Sequence, residues 1–387
     1  MLAICLALTG LEEVHAQDLG AAPHSSAPAP AGTTLGKKNV LQELNETLRF
    51  YGALQTRLVF TESGEELQDG ASRIGISFRR ALAPRRLPLL EAFGKLEFGV
   101  NLVDNSQTLT LGDSTSSEIL SRDGQDAFET RLGFLGLAYG NFVRLSFGKQ
   151  WSVYYDVAGW TDKYYVFGST ALGVFSSGTD GGGGPGRADQ AIQARFALRF
   201  VDLGLQYQVR GLSLGDGRSF GASLRARPTP WLEIGGTFVQ VLVDEDAARS
   251  MGLQLDNDPR VFGLGVKLDY GGWILAFVYG NQAENELGSR EDQSLLIGGN
   301  GYELYARVPL PLRLHIYGGF NLLDSDDQGL DEPVDVEHYY LGVAWDFHRQ
   351  SKVYLQARRA ALSDVDALVF GLHYDFEAFA GRTVPDS

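Results

Sequence analysis

Beyond residue 16 the chain carries five histidines, His24, His315, His338, His348 and His373, and none has a second ligand at metal-binding spacing. No Gly-x-Ser-x-Gly elbow is present, and the single cysteine, Cys5, lies in an apolar stretch at the start. Neither a thiol nucleophile nor a disulfide is therefore expected. Gly181–Gly184 is followed by no Gly-Lys-Ser/Thr, so it is not a phosphate cradle. Asp324-Ser-Asp326-Asp327-Gln328-Gly329, with Asp331 and Asp335 beyond it, comes near a calcium-loop spacing. It lacks the acid or Asn at the fifth position, so Asp324, Asp326 and Asp331 make an incomplete cation site. No cofactor is expected, and an enzyme would need a serine–histidine pair assembled from distant segments.

What remains is charge. Arg49, Arg57, Arg73, Arg79, Lys95, Arg131, Arg144, Arg195, Arg199, Arg210, Arg225, Arg227, Lys267, Arg307 and Arg313 lie on the polar faces of short segments whose opposite faces are apolar. Facing a packed core, each would need a partner to offset its desolvation. Facing water, it costs little, so the polar faces are expected to enclose solvent. The formal charge is nevertheless −15. The acids collect between the segments, as in Glu62, Glu65, Glu66, Asp69, Asp244, Glu245, Asp246, Glu284, Glu286 and Asp324–Asp327. They are expected on outer loops, either holding divalent cations loosely against lipid headgroups or keeping the loop tips apart.

The elements that position these residues alternate with period two, the mark of a strand between two different solvents. In Ala367–Phe376 one face carries Leu368, Phe370, Leu372, Tyr374 and Phe376, and the other Ala367, Val369, Gly371, His373 and Asp375. Sixteen such segments lie between Val40 and Phe376. No apolar run is long enough for a membrane helix. The pattern predicts an all-β fold, a sixteen-stranded antiparallel transmembrane β-barrel. Short links are predicted at Tyr139–Asn141, Val201–Asp202, Pro228–Pro230, Gly271–Gly272, Pro309–Pro311 and His348–Gln350. Long ones are predicted at 61–70, 103–126, 150–189, 243–259, 281–300 and 323–337. This alternation puts the short turns in the periplasm, where Trp231, Tyr270, Trp273, Trp345, Phe347, Tyr374 and Phe376 form an interfacial girdle. Trp273–Gly280 is apolar on both faces, as if it packed against another subunit. The expected organisation is a signal peptide at 1–16, a disordered Ala/Pro-rich lead-in at 17–39, the barrel at 40–376 and a tail at 377–387.

Arg131-Leu-Gly-Phe-Leu-Gly-Leu, then Phe147-Gly-Lys-Gln-Trp151 and Tyr155-Asp-Val-Ala-Gly-Trp-Thr-Asp162, resemble the general diffusion porins of Gram-negative bacteria. The likeness is loose over 40–376 and tight over 128–170. It implies an outer-membrane homotrimer whose long third loop folds into the lumen of each barrel, setting loop acids against basic wall residues. By motif the wall residues are Arg73, Arg131 and Lys149, and the loop acids Asp162 and Asp156; Arg57 and Lys95, on polar strand faces, join the constriction set. Val166 stands where the family has a second loop acid, and Phe376 where its chains usually end.

The expected function is passive diffusion of small hydrophilic solutes and ions across the outer membrane, with lipid around the barrel, no nucleic-acid partner and a weak preference for anions. The alternative is a substrate-selective channel for sugar or anion, with Tyr51, Tyr305, Tyr317, Tyr340 and Tyr354 as sugar contacts.

Overall fold

Alternating side chains and reverse turns produce one continuous antiparallel wall. The computed structural model describes residues 48–83, 87–103, 128–174, 184–209, 218–242, 258–290, 293–325, 334–362 and 366–379. The expected signal peptide, the lead-in and the residues after 379 lie outside them. The first strands are β1 (Leu48–Thr61), β2 (Gly64–Asp69), β3 (Arg73–Ala83), β4 (Leu87–Val100), β5 (Phe128–Tyr139) and β6 (Val143–Trp151). A four-residue helix, α1 (Tyr155–Ala158), follows. Next come β7 (Arg187–Ala197), β8 (Val201–Gln208), β9 (Arg218–Thr229), β10 (Leu232–Leu242), β11 (Arg260–Tyr270) and β12 (Trp273–Arg290). The last are β13 (Gln293–Leu310), β14 (Leu314–Ser325), β15 (Val336–His348), β16 (Ser351–Ala360) and β17 (Ala367–Phe379).

From β3 onward sequential neighbours pair, and β17 returns to β1 over the whole register from Thr61↔Ala367 to Arg49↔Phe379. β2 and β3 occupy the same edge of β1, one above the other, so they form a single stave interrupted at Gly70–Ser72. The barrel thus has sixteen staves and no open seam. The interruption is bonded: Gly70 N donates to Gln55 O at 2.9 Å, Gln55 N to Ser72 Oγ at 2.9 Å and Ser72 N to Asp69 at 2.8 Å.

Turn chemistry matches local backbone demand. Gly271 and Gly272, with φ of 60° and 85°, close the β11–β12 hairpin, where two consecutive left-handed residues match the twist of the strands. Four expectations need correction. The first long link, 61–70, is a tight turn at Glu62–Ser63, because the acidic run Glu65–Asp69 continues as β2. Most of 281–300 is likewise hairpin, with β12 paired to β13 out to Arg290↔Gln293. Arg313 sits in a 3-10 turn before β14, with a φ of 60°, rather than on a strand face. The barrel does not stop at Phe376: β17 runs on to Phe379, and Glu377 bonds Arg49 of β1.

The outer face is a belt of exposed apolar side chains, among them Leu135, Phe147, Leu224, Ile234, Leu264, Leu341 and Phe370. So much contiguous apolar surface is uncommon on a soluble monomer and suits contact with lipid. Trp231, Tyr270, Trp273, Trp345, Phe347 and Tyr374 are exposed beside the short turns, as an interfacial girdle requires.

Candidate functional site

The inner faces carry the charges, but not as a bare basic row. Acids on adjacent strands pair with many of them: Arg79 with Glu91, Arg225 and Arg227 with Asp202, Lys267 with Glu233, and Lys352 with Asp375. One group differs. On β3, β4 and β5, Arg73, Lys95 and Arg131 surround the single acid Glu97. Arg131 Nε lies 3.2 Å from Glu97 and Lys95 Nζ 3.4 Å away; the Tyr51 hydroxyl donates to it at 2.8 Å. Lys95 also lies over the Tyr51 ring, 4.9 Å from its centroid. Arg73 is close enough for its charge to act on Glu97 and makes no ion pair among the described residues.

Strict alternation would not put both Arg131 and Leu132 inside. The register shifts there, Glu97 facing Leu132 and Phe98 facing Thr130, so Arg131 is the extra residue of a bulge. Both side chains are buried on the inner face. Bulges commonly re-aim a side chain in this way. Arg57, 1% exposed on β1, donates to Gln68 at 3.1 Å. Lys149 does not join the Glu97 group. It lies 3.2 Å from Asp189 of β7, next to Gly148, whose φ of 126° interrupts the alternation.

Residues 152–174 pack on the polar face of the wall from β8 to β17. One half inserts Val153, Tyr154, Val157, Trp160 and Leu172 against Val239, Val261, Ala276 and Val278. This accounts for the doubly apolar segment Trp273–Gly280: its second face meets this segment, not another subunit. The other half places Tyr164, Val166 and Phe167 among Tyr305, Tyr317, Tyr340, Tyr354, Val59 and Val369. Tyr165 stacks on Tyr354 at 4.7 Å and shares a 3.0 Å hydrogen bond with His315 Nε2. The four β13–β16 tyrosines expected as sugar contacts are therefore taken up by the loop, and Tyr51 by Glu97. Val166 is buried in an apolar packing position. Burial pushes the Tyr164 and Tyr165 hydroxyls well above the usual phenol range.

The two loop acids have different surroundings. Asp156, on α1, accepts both contacts of Arg195 Nη1, at 2.6 and 2.8 Å, and the Ser223 hydroxyl at 2.7 Å. Its charge is spent against the wall. Asp162 accepts the Tyr155 hydroxyl at 2.6 Å, and the neighbouring Lys163 is also half-buried. The wall itself is cut back to admit the loop. At Gly235 and Gly265 a Cβ would strike Trp160 or Val157, and at Gly280 it would strike Leu172. Glycine at inner positions of successive strands was a signal available in the sequence and not used. Glu97, Glu303 and Arg187 were also not singled out; Arg187 is buried against the Trp151 ring, 5.5 Å from its centroid.

Asp324 is the penultimate residue of β14, while Asp326 and Asp331 lie outside the described residues. No group of three potential metal ligands occurs among the described residues.

Comparison with known proteins agrees with this geometry. The chain is 24% identical over 269 residues to outer membrane porin F of Xenorhabdus nematophila, covering 65% of this chain and 67% of that one. It is 35% identical over 98 residues, 24% of this chain and 25% of the relative, to outer membrane protein F of Serratia marcescens. Among solved structures, OmpF of Salmonella typhi in complex with daunomycin superposes with a TM-score of 0.68 at 17% identity, over 86% of this chain and 98% of that one. The trimer form of Vibrio cholerae OmpT gives 0.58 at 18% identity, over 85% and 99%. Residues 19–378 match the family described as Gram-negative porin, so the chain belongs to the Gram-negative porins and is a passive-diffusion channel of the outer membrane.

Proposed function

We propose that residues 152–174 narrow the passage against the inner wall of β1 and β3–β5, and that the narrowed passage admits small hydrophilic solutes with a weak preference for anions. One observation carries the reading: the balance of charge around Glu97. On that wall Arg73, Lys95 and Arg131 gather around Glu97, and the charge of Arg73 reaches Asp375 of β17 as well. On the loop Lys163 offsets Asp162, and Asp156 is already paired with Arg195. Crossed or unbalanced charge in a wet constriction selects by sign and penalises apolar solutes. Packing of the loop on both halves of the wall supports its being a fixed constriction. Reversal potentials across a planar bilayer in a KCl gradient test the sign, and a cation-selective reading would sink it.

The working unit proposed is a homotrimer embedded in outer-membrane lipid. Support comes from the barrel fold and from the trimer form of the similar Vibrio cholerae structure. Mass determination in detergent by light scattering tests it; a monomer as the stable species would refute it.

A further inference from the structure

We infer that the inner face of β13 is the seat that fixes how far residues 152–174 stand into the passage, with Gly301 and Glu303 as its positioning residues. The inference rests on the reading that this segment narrows the passage. Glu303 is fully buried and its carboxylate receives three hydrogen bonds. Thr161 Oγ1 donates to Oε2 at 2.7 Å, while Ala171 N and Asn321 Nδ2 donate to Oε1 at 3.0 and 3.1 Å. Thr161 and Ala171 belong to opposite limbs of the loop, so one wall side chain clasps both. Asn321, from β14, holds the carboxylate to the wall.

Two residues earlier on the same face, Gly301 leaves the space that the Ala171 backbone enters; any Cβ there would collide with the Ala171 carbonyl oxygen. That oxygen accepts Gln282 Nε2 of β12 at 3.0 Å. Two residues later, Tyr305 meets Tyr164 edge-on at 5.1 Å, and the Tyr164 hydroxyl donates to Leu304 O at 2.8 Å. A glycine, an acid and an aromatic at alternate positions of one strand thus set the loop's depth by absence of bulk, by hydrogen bonding and by stacking. Loss of these bonds inside a packed region leaves their donors unsatisfied.

The test compares Gly301→Val, Glu303→Ala and Glu303→Gln barrels, each checked for folding by heat-modifiable migration. Spin labels at Lys163→Cys and Ser77→Cys report loop-to-wall distance by pulsed electron resonance, and single-channel conductance is read in parallel. The Glu303→Ala barrel should show a broadened distance and a conductance higher by about twofold, whereas the Gly301→Val barrel, whose added bulk pushes the loop off its wall into the passage, should show a shorter loop-to-wall distance and a lower conductance. Glutamine keeps an oxygen for Ala171 and Asn321 and turns its amide on Thr161, whose hydroxyl also reaches Ala158 O at 3.2 Å, so it should behave as wild type. Should the valine or alanine barrel fail to fold, Gly301→Ala gives the valine readout with a smaller intrusion. An unchanged distance in both disruptive variants overturns the seat, as does glutamine behaving like alanine. A changed distance with unchanged conductance upholds the seat and overturns the narrowing.

Discussion

Arg73→Gln isolates the electrostatics of the constriction. Arg73 acts on Glu97 and Asp375 through its charge and makes no close ion pair among the described residues, so its removal breaks no salt bridge. A permeant ion passing about 5 Å from the guanidinium in water feels about 0.8 kcal/mol. In about 0.1 M salt, with a Debye length of about 10 Å, screening trims this to about 0.5 kcal/mol. Losing that term lowers anion entry about 2.3-fold and raises cation entry as much, so the anion-to-cation permeability ratio should fall about fivefold. The assay is the reversal potential of single channels under a KCl gradient, with conductance at symmetric salt confirming an unaltered bore. A ratio that stays within about twofold of wild type would show that Arg73 does not face the permeating ions, and the charge argument would fail with it.

Other substitutions probe separate parts of the account. Trp160→Ala empties the site lined by Gly235 and Gly265 and should destabilise the loop packing by about 3–5 kcal/mol, read as a lower denaturant midpoint of Trp fluorescence or of loop proteolysis. Val166→Asp should loosen the loop without adding cation preference, because the side chain lies among Val59, Tyr354 and Val369; a clean shift toward cations at unchanged conductance would contradict that placement. Glu377→Gln, which removes the Arg49 contact beyond Phe376, should lower the temperature of the heat-modifiable transition, whereas no change would make the extension of β17 dispensable. Above pH about 10, unfolded phenols ionise while Tyr164 and Tyr165 keep their protons. The folded state then binds more protons, so stability should fall as pH rises through that range, with tyrosinate absorbance lagging until the loop releases.

Much of the barrel was legible because period two is a local property. Leu368, Phe370, Leu372 and Tyr374 had to share a face, and the structure exposes them together. The Gly271–Gly272 turn was equally local. Errors arose where a polar run could be strand as well as loop: Glu65–Asp69 reads as linker, yet it pairs with β1 because backbone bonding is indifferent to exposed side chains. The loop was harder still. Val239, Ala276 and Val278 announce an apolar inner surface, but only the fold reveals that Tyr154, Val157 and Leu172 cover it. Arg131 was identified through its motif, while the bulge that aims it and the Glu97 it meets depend on register between β4 and β5. Asp156 was read as a charge for the passage; its pairing with Arg195 depends on where α1 docks, which no spacing encodes.

The most direct measurement replaces residues 161–171 by a short Gly-Ser link and records single-channel conductance in planar bilayers. If that loop limits the passage, the shortened barrel conducts more current per opening, admits larger sugars in liposome swelling and loses its anion preference. Conductance and size limit identical to wild type would place the constriction elsewhere.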